Sequence, residues 1–159
     1  MGGFHMEVEI KSKPGFTVVG MVERGKDGPK FIPPLWEKFH TRFDEVKEFI
    51  KNRIGYGVMA NYDEGTEQFD YLAGLQVEPG TQAPEGMTTW NIPEQTYGVI
   101  PCTVPTIIEA YKFYHKEWLP NVEYEVCEGE PEFELYPEDY EGIEIGTMYM
   151  YFPIRKTGS

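Results

Sequence analysis

Positive charge is scarce in this sequence. The 159 residues include 14 Lys and Arg against 27 Asp and Glu, which gives a formal net charge of −13. Because phosphate binding needs a basic surface, we expect no direct nucleic-acid binding by this chain. The negative charge is compatible with the attraction of cations, although solubility alone also accounts for it. Between positions 121 and 144 the chain has ten acidic residues and no Lys, Arg or His.

Cysteine and histidine are rare as well. Cys102 and Cys127 show no metal-binding or redox spacing, and the three histidines are scattered, so we expect neither a metal site nor a cofactor. No apolar run approaches the roughly 20 residues of a membrane span, and no secretory signal is recognisable. These features predict a cytoplasmic protein with reduced cysteines and no association with membranes. No nucleophile with a neighbouring base is evident, so we assign no catalytic residue.

Aromatic residues are plentiful, and the order of predicted elements repeats. The order strand, helix, strand, strand is predicted twice, in a first repeat over about residues 7–78 and a second over about residues 87–156. The first helix is expected to begin at Pro33 and to continue to Lys51, and the second begins at Pro105. This pattern predicts a single domain over 7–156 with an α+β fold. Its sheet would be antiparallel, with the helices on one face and the other face free.

One acidic strand carries the clearest functional signal. In the strand predicted over 132–136, Glu134 and Tyr136 fall on one face, and the apolar Phe133 and Leu135 fall on the other. In the last strand, predicted over 146–154, Tyr149 and Tyr151 share a face. If these two strands pair, all four side chains can lie together on one surface. A carboxylate beside aromatic rings suits a flat, greasy cation.

The sequence resembles the GyrI-like small-molecule-binding domains, from about residue 8 to residue 156. These domains serve as effector domains of multidrug-responsive bacterial transcription regulators and also exist as free-standing proteins encoded on integron cassettes, the branch that this chain resembles most. No single motif is specific, but the order and spacing of several are. These motifs are Ile92-Pro93, Tyr97-Gly98-Val99, Glu117-Trp118-Leu119-Pro120, Phe133-Glu134-Leu135-Tyr136 and Tyr151-Phe152-Pro153-Ile154.

The resemblance implies two βαββ repeats in a pseudo-twofold arrangement, with a ligand cleft between them. It implies a buried glutamate, matched here by Glu134, that pairs with lipophilic cations of drug or dye type. The other residues that we expect to contact the ligand, by their helix or strand positions, are Trp36, Tyr71, Ile107, Tyr111, Tyr136, Tyr149 and Tyr151. Without the resemblance, Glu134 would be interpreted as a solvated acid and Trp36 as core.

Two other functions are compatible with the same residues. Some relatives of this superfamily are hydrolases of cyclopropane-bearing natural products, and Glu134 with Tyr136 or Tyr149 would then handle a water and a proton. The gyrase-inhibitor relatives imply instead a module that binds a protein partner, whose identity the sequence does not give. We therefore interpret the chain as an effector-binding, transcription-regulator-like protein. A hydrolase of such electrophiles and an interaction module are the alternatives.

Overall fold

Within residues 6–158, which a computed structural model describes, nine strands and two α-helices follow one another along the chain. The strands are β1 Glu9–Lys13, β2 Phe16–Gly25, β3 Ile50–Asp63, β4 Gln68–Val77, β5 Thr88–Ile92, β6 Gln95–Cys102, β7 Tyr124–Val126, β8 Glu132–Tyr136 and β9 Met148–Lys156. The helices are α1 Gly28–Thr41 and α2 Ile107–Phe113. None of the helices in this part of the chain has the length and apolarity that crossing a membrane would require.

The strands form one antiparallel sheet in the order β1-β6-β9-β8-β3-β4-β2-β5, and β7 pairs with the end of β9. The β3–β8 pair joins a first half of the sheet (β5, β2, β4 and β3) to a second half (β8, β9, β6 and β1). The α+β fold with an antiparallel sheet and two helices is therefore as predicted. The single-domain assignment, the two repeats and the pseudo-twofold relation between them stay predictions.

Both helices cover the same face of the sheet. Trp36 of α1 contacts Tyr136 of β8, and Tyr111 of α2 contacts Phe152 of β9. Tyr136 and Phe152 lie on the same face, because β8 and β9 pair in a register that puts Glu134 opposite Met150. This placement agrees with the predicted layer order and leaves the central strands β3 and β8 between the two helices.

The opposite face is not free, contrary to expectation. It carries a buried apolar cluster that includes Phe16, Tyr56, Tyr97 and Phe133. The rings of Phe16 and Phe133 lie 5.4 Å apart, although β2 and β8 are separated by three strand spacings, about 14 Å in a flat sheet. The sheet is therefore strongly curved and buries its second face against itself.

A close backbone contact accompanies this curvature. Gly20 of β2 lies opposite Gly74 of β4, and a Cβ on either residue would lie 2.0 Å from a carbonyl oxygen of the partner strand. Real Cβ atoms never approach an oxygen so closely, so the backbones can pass at this separation only because both residues are glycines.

The predicted first helix, Pro33 to Lys51, is wrong at both ends. Helix α1 begins earlier because Pro29, not Pro33, occupies the first turn, where a missing N–H does no harm. It ends at Thr41. The Arg42 guanidinium then binds the Glu45 carboxylate at 2.6 and 2.7 Å, and the following residues form a tight turn. The apolar periodicity beyond Thr41 therefore belongs to this turn and to the start of β3.

Candidate functional site

The central strands β3 and β8 form the floor of a site beneath the two helices. Their register places Gly57 of β3 directly opposite Glu134 of β8. Glu132, Glu134 and Tyr136 alternate along β8, so all three side chains point to the face that carries the helices. The contact between Tyr136 and Trp36 of α1 confirms this direction. The site is therefore a row of polar side chains along one central strand.

Glu134 is the end of a buried hydrogen-bonded chain. Its side chain is only 7% exposed. The Tyr71 hydroxyl donates to Glu134 Oε1 at 2.6 Å, and the Tyr136 hydroxyl donates to the same oxygen at 3.1 Å. The Trp36 indole N–H donates in turn to the Tyr71 oxygen at 2.9 Å. A residue of α1 and residues of β4 and β8 thus fix the orientation of one carboxylate.

The absence of a side chain at Gly57 makes this arrangement possible. Tyr71 comes from β4 and must cross β3 to reach Glu134 on β8. A Cβ at Gly57 would lie 1.9 Å from the Tyr71 hydroxyl oxygen and 2.6 Å from Glu134 Oε1. Any larger residue would therefore occupy the space through which the hydrogen bond passes.

Burial dominates the electrostatics of the site. It raises the pKa of the Glu134 carboxyl, the two tyrosine hydrogen bonds oppose that shift, and the nearby charge of Glu132 adds to it. Burial and the Glu134 charge also raise the pKa of Tyr71 well above 10, so its hydroxyl keeps the proton that it donates. The carboxylate consequently pays a desolvation penalty that hydrogen bonds from neutral hydroxyls offset only in part.

Aromatic rings close one end of the site. The Tyr136 ring stands edge-on to Trp36 at 5.8 Å and to Tyr140 at 5.0 Å. The Tyr140 hydroxyl is buried and has no hydrogen-bond partner among the described residues. Burial, followed by the nearby charge of Glu134, raises the pKa of Tyr140. The closed end therefore retains an unused polar group.

The other end of the site opens into a cavity of about 590 Å³. Glu132, two residues before Glu134, lies at this opening, and the Tyr111 hydroxyl of α2 donates a hydrogen bond to its carboxylate. Burial raises the pKa of Glu132, and the bond from Tyr111 opposes that shift. The cavity is lined by Met59, Ala60, Asn61, Tyr62, Glu64, Phe69, Tyr111, Glu128, Gly129, Glu130 and Glu132.

Several of the predicted ligand-contacting residues come together. Four of them form one hydrogen-bonded network: Trp36, Tyr71, Glu134 and Tyr136. Tyr111 lies beside this network, through its bond to Glu132, and lines the cavity. Ile107 of α2 is half-buried and packs against the apolar cluster between α2 and the sheet. The structure gives it no contact with Glu134.

The prediction that Tyr149 and Tyr151 share a face with Glu134 is wrong. Strand β9 pairs with β8 so that Tyr151 lies opposite Phe133, and a methionine, Met150, lies opposite Glu134. The rings of Tyr151 and Phe133 stack at 4.5 Å on the face away from the helices. The alternation within each strand was correct, but a register different by one residue turns both tyrosines to the opposite face.

Three residues of the site were not predicted: Gly57, Glu132 and Tyr140. A glycine inside an otherwise regular strand signals a close approach by another group, and this signal at Gly57 was available. Glu132 shares the parity of Glu134, so the same alternation places both on one face. Tyr140 lies in an irregular segment without periodicity, and the sequence carries no comparable signal for it.

Among the described residues, no group of three His, Cys, Asp or Glu side chains is placed to hold a metal ion.

Comparison of the sequence with known families and proteins gives a consistent result. The family model described as "Cass2: Integron-associated effector binding protein" matches residues 9–154. The transcriptional regulator BrlR of Pseudomonas aeruginosa is 32% identical over 140 residues, which are 87% of this chain and 51% of that protein. The chain thus spans about half the length of this curated relative.

Solved structures share the fold. SAV2435 bound to tetraphenylphosphonium superposes with a TM-score of 0.72 at 14% identity, covering 94% of each chain. The integron cassette protein from the mobile metagenome of Vibrio cholerae superposes with a TM-score of 0.64 at 18% identity, covering 96% of this chain and 100% of the other. At these identities the likeness establishes the architecture alone.

Proposed function

The chain belongs to the family of integron-associated effector-binding proteins, and from this membership we propose that it binds hydrophobic cations, with Glu134 as the anchoring charge. The observation that carries the proposal is the state of this carboxylate. Glu134 is buried, and it forms no ion pair with any Lys, Arg or His within residues 6–158. Its hydrogen-bond donors are neutral tyrosine hydroxyls.

A buried, unpaired carboxylate is costly, and a bound cation relieves that cost. An anion that is buried without a counter-charge loses roughly several kcal/mol of solvation free energy. The raised pKa of Glu134, caused first by burial, expresses the same penalty. A cation placed beside the carboxylate supplies the missing charge where few waters screen it. A site of this kind favours a weakly hydrated organic cation, which itself loses little solvation on entry.

The surrounding rings suit the body of such a ligand. Trp36, Tyr71 and Tyr136 surround the carboxylate, and Tyr111 extends the aromatic surface toward the cavity. Each ring face contributes about 0.5–2 kcal/mol of attraction to a cation. Three or four such contacts contribute about 1.5–8 kcal/mol of attraction, and the charge pair adds to it. The sum opposes the cost of association, and micromolar affinity corresponds to a net binding free energy of roughly −8 kcal/mol. Tetraphenylphosphonium, which is bound to SAV2435, is a ligand of this chemical class.

Entry of the ligand requires a local rearrangement of side chains. Glu134 lies beneath Trp36, Tyr71 and Tyr136, whereas the open cavity begins at Glu132. We therefore expect the ligand to enter through the cavity and to displace the Trp36 or Tyr136 ring as its charge approaches Glu134. Because the family includes effector-binding proteins and BrlR is a transcriptional regulator, we propose that occupancy of the cleft is a regulatory signal.

Titration with tetraphenylphosphonium, followed by isothermal calorimetry, tests the anchoring role. We expect micromolar binding by the wild type and a 10- to 100-fold weaker affinity for Glu134→Gln, the loss typical of a contact to a buried charge. Glu144→Gln is the matched control, because it removes the same charge from an exposed position in the same acidic segment. If Glu134→Gln binds as tightly as the wild type, the anchoring role is wrong.

A hydrolase acting on electrophilic natural products is the second candidate. Burial raises the pKa of the Glu134 carboxyl and so makes it a stronger base than an exposed glutamate, and the Tyr71 hydroxyl at 2.6 Å fixes its orientation. Mass spectrometry of cyclopropane-bearing compounds after incubation with the protein separates the two functions. A mass gain of one water that Glu134→Gln abolishes supports hydrolysis, and recovery of unchanged compound supports binding alone.

A further inference from the structure

The 590 Å³ cavity adjoins a second carboxylate that the proposed anchoring role does not use. Glu132 precedes Glu134 by two residues on the same face of β8, so their backbone positions lie roughly 7 Å apart along the strand. Glu134 lies at the inner end of this row, and Glu132 lies where the row meets the cavity. A ligand that enters from the cavity and reaches Glu134 therefore has to pass over Glu132.

Like Glu134, Glu132 has no counter-charge among the residues that the structure describes. Its carboxylate accepts a hydrogen bond from the neutral Tyr111 hydroxyl, and it forms no ion pair within the described part of the chain. The cavity-lining residues include four glutamates and no Lys, Arg or His. Aromatic and apolar side chains complete the walls, namely Met59, Tyr62, Phe69 and Tyr111.

On these observations, we propose that Glu132 and Tyr111 form a second cation subsite, so that the cleft selects ligands with two positive charges over ligands with one. The inference rests on the proposed binding function and specifies its ligand class. A ligand with one charge, once at Glu134, covers Glu132 with apolar atoms and removes its water without replacing it, which is unfavourable. A second positive group, held a few carbon atoms from the first, meets Glu132 and removes that penalty.

The size of the cavity is compatible with such a ligand. About 590 Å³ lies within the range of sites for drug-sized molecules, roughly 300–1,000 Å³. Since this volume extends outward from Glu132, it holds the part of an elongated ligand that does not reach Glu134. The three other glutamates of the cavity, Glu64, Glu128 and Glu130, are exposed and lie around its opening. They attract cations of either kind and do not by themselves distinguish one charge from two.

Ethidium and propidium form a matched pair of probes for this proposal. They share one phenanthridinium ring system, and propidium carries an additional quaternary ammonium on a three-carbon chain. Fluorescence titration at about 0.15 M salt, where distant charges are screened, measures both dissociation constants. We expect the wild type to bind propidium about tenfold more tightly than ethidium, the gain from one close ion pair between the quaternary ammonium and Glu132. We expect Glu132→Gln to lose that preference by weakening propidium binding alone.

Two further variants separate the possible outcomes. Glu134→Gln is expected to weaken both dyes equally, and Glu144→Gln, at an exposed position outside the cavity, is expected to leave both affinities and their ratio unchanged. An unchanged propidium-to-ethidium ratio in Glu132→Gln overturns the second subsite, as does a wild type without preference. An unchanged affinity of both dyes in Glu134→Gln overturns the anchoring role instead. Glutamine keeps the shape of glutamate and an acceptor for Tyr111, so we expect Glu132→Gln to fold. A thermal melt verifies this.

Discussion

Replacing Gly57 by alanine tests whether the space above this residue is what allows Tyr71 to reach Glu134. The added methyl carbon would lie 1.9 Å from the Tyr71 oxygen and 2.6 Å from Glu134 Oε1. Tyr71 is fully buried and Glu134 nearly so, so neither side chain has free volume into which to retreat. The hydroxyl and the carboxylate must separate, and the 2.6 Å hydrogen bond between them breaks.

The expected cost follows from three contributions. Loss of a hydrogen bond to a charged group costs about 1.5–3 kcal/mol. Forcing a methyl group into a packed interior costs about 1–3 kcal/mol. The alanine makes the unfolded chain less flexible, which stabilises the folded state by about 0.4–1 kcal/mol. The free energy of unfolding should fall by about 1.5–5.5 kcal/mol, which for a chain of this size lowers Tm by roughly 3–22 °C.

Gly55→Ala is a matched control on the same strand and the same face. A Cβ at Gly55 would lie 3.5 Å from the Trp36 ring and from the Tyr136 Cβ, an ordinary van der Waals distance. Its Tm should therefore stay the same or rise slightly, because only the effect on the unfolded chain remains. Thermal melts and urea denaturation of the two variants measure the difference. Equal stability of Gly57→Ala and Gly55→Ala would refute the proposed role of the space above Gly57.

Two further predictions concern the same network. Burial raises the pKa of Glu134 above its ordinary value of 4.5, so the folded state favours the neutral carboxyl. This preference stabilises the fold fully below about pH 4.5. The stabilisation is lost as pH rises through the folded pKa. Glu134→Gln should therefore match the wild type in Tm at pH 4 and exceed it at pH 7, and a lower Tm at pH 7 would contradict this. Tyr71→Phe leaves the Trp36 indole N–H without its acceptor and leaves Glu134 with only the longer bond from Tyr136, so it should cost about 2–4 kcal/mol in urea denaturation. Tyr136→Phe, which removes one longer bond, should cost less, and the reverse order would contradict the network.

Local sequence signals predicted the elements whose ends are set by nearby prolines. Prolines at positions 131 and 137 bracket β8, and its predicted bounds, 132–136, agree with the structure. The predicted start of α1 at Pro33 was wrong because Pro29 fills the first turn, and the sequence alone does not decide which of the two prolines does so. The end of α1 depends on Arg42 contacting Glu45 and the Glu85 carbonyl, and the second of these contacts joins residues 43 positions apart.

The register between β8 and β9 was beyond local reasoning. A two-residue hairpin turn fixes strand register through its backbone geometry. The segment between Tyr136 and Met148 is eleven residues long and irregular, so it imposes no register. The apolar pattern did not decide either, because both faces of β9 are buried, one against α2 and the other within the curved sheet. The shared face of Glu134 and Tyr136 was nevertheless predicted, because alternation within a single strand is independent of its neighbours. The burial of Glu134 was expected only from the family resemblance.

The position of β1 has a consequence for how the chain assembles during synthesis. Strand β1 precedes the other described strands in the chain, yet its partner among them is β6, with Glu9 opposite Val99. About 90 residues must therefore leave the ribosome before its backbone N–H and C=O groups find their partners. The first half of the sheet, residues 16–92, is contiguous in sequence and can pair its own strands before then. We expect this half to form early. The second half, with β1 at its edge, should set the folding rate, because closing so long a loop is slow.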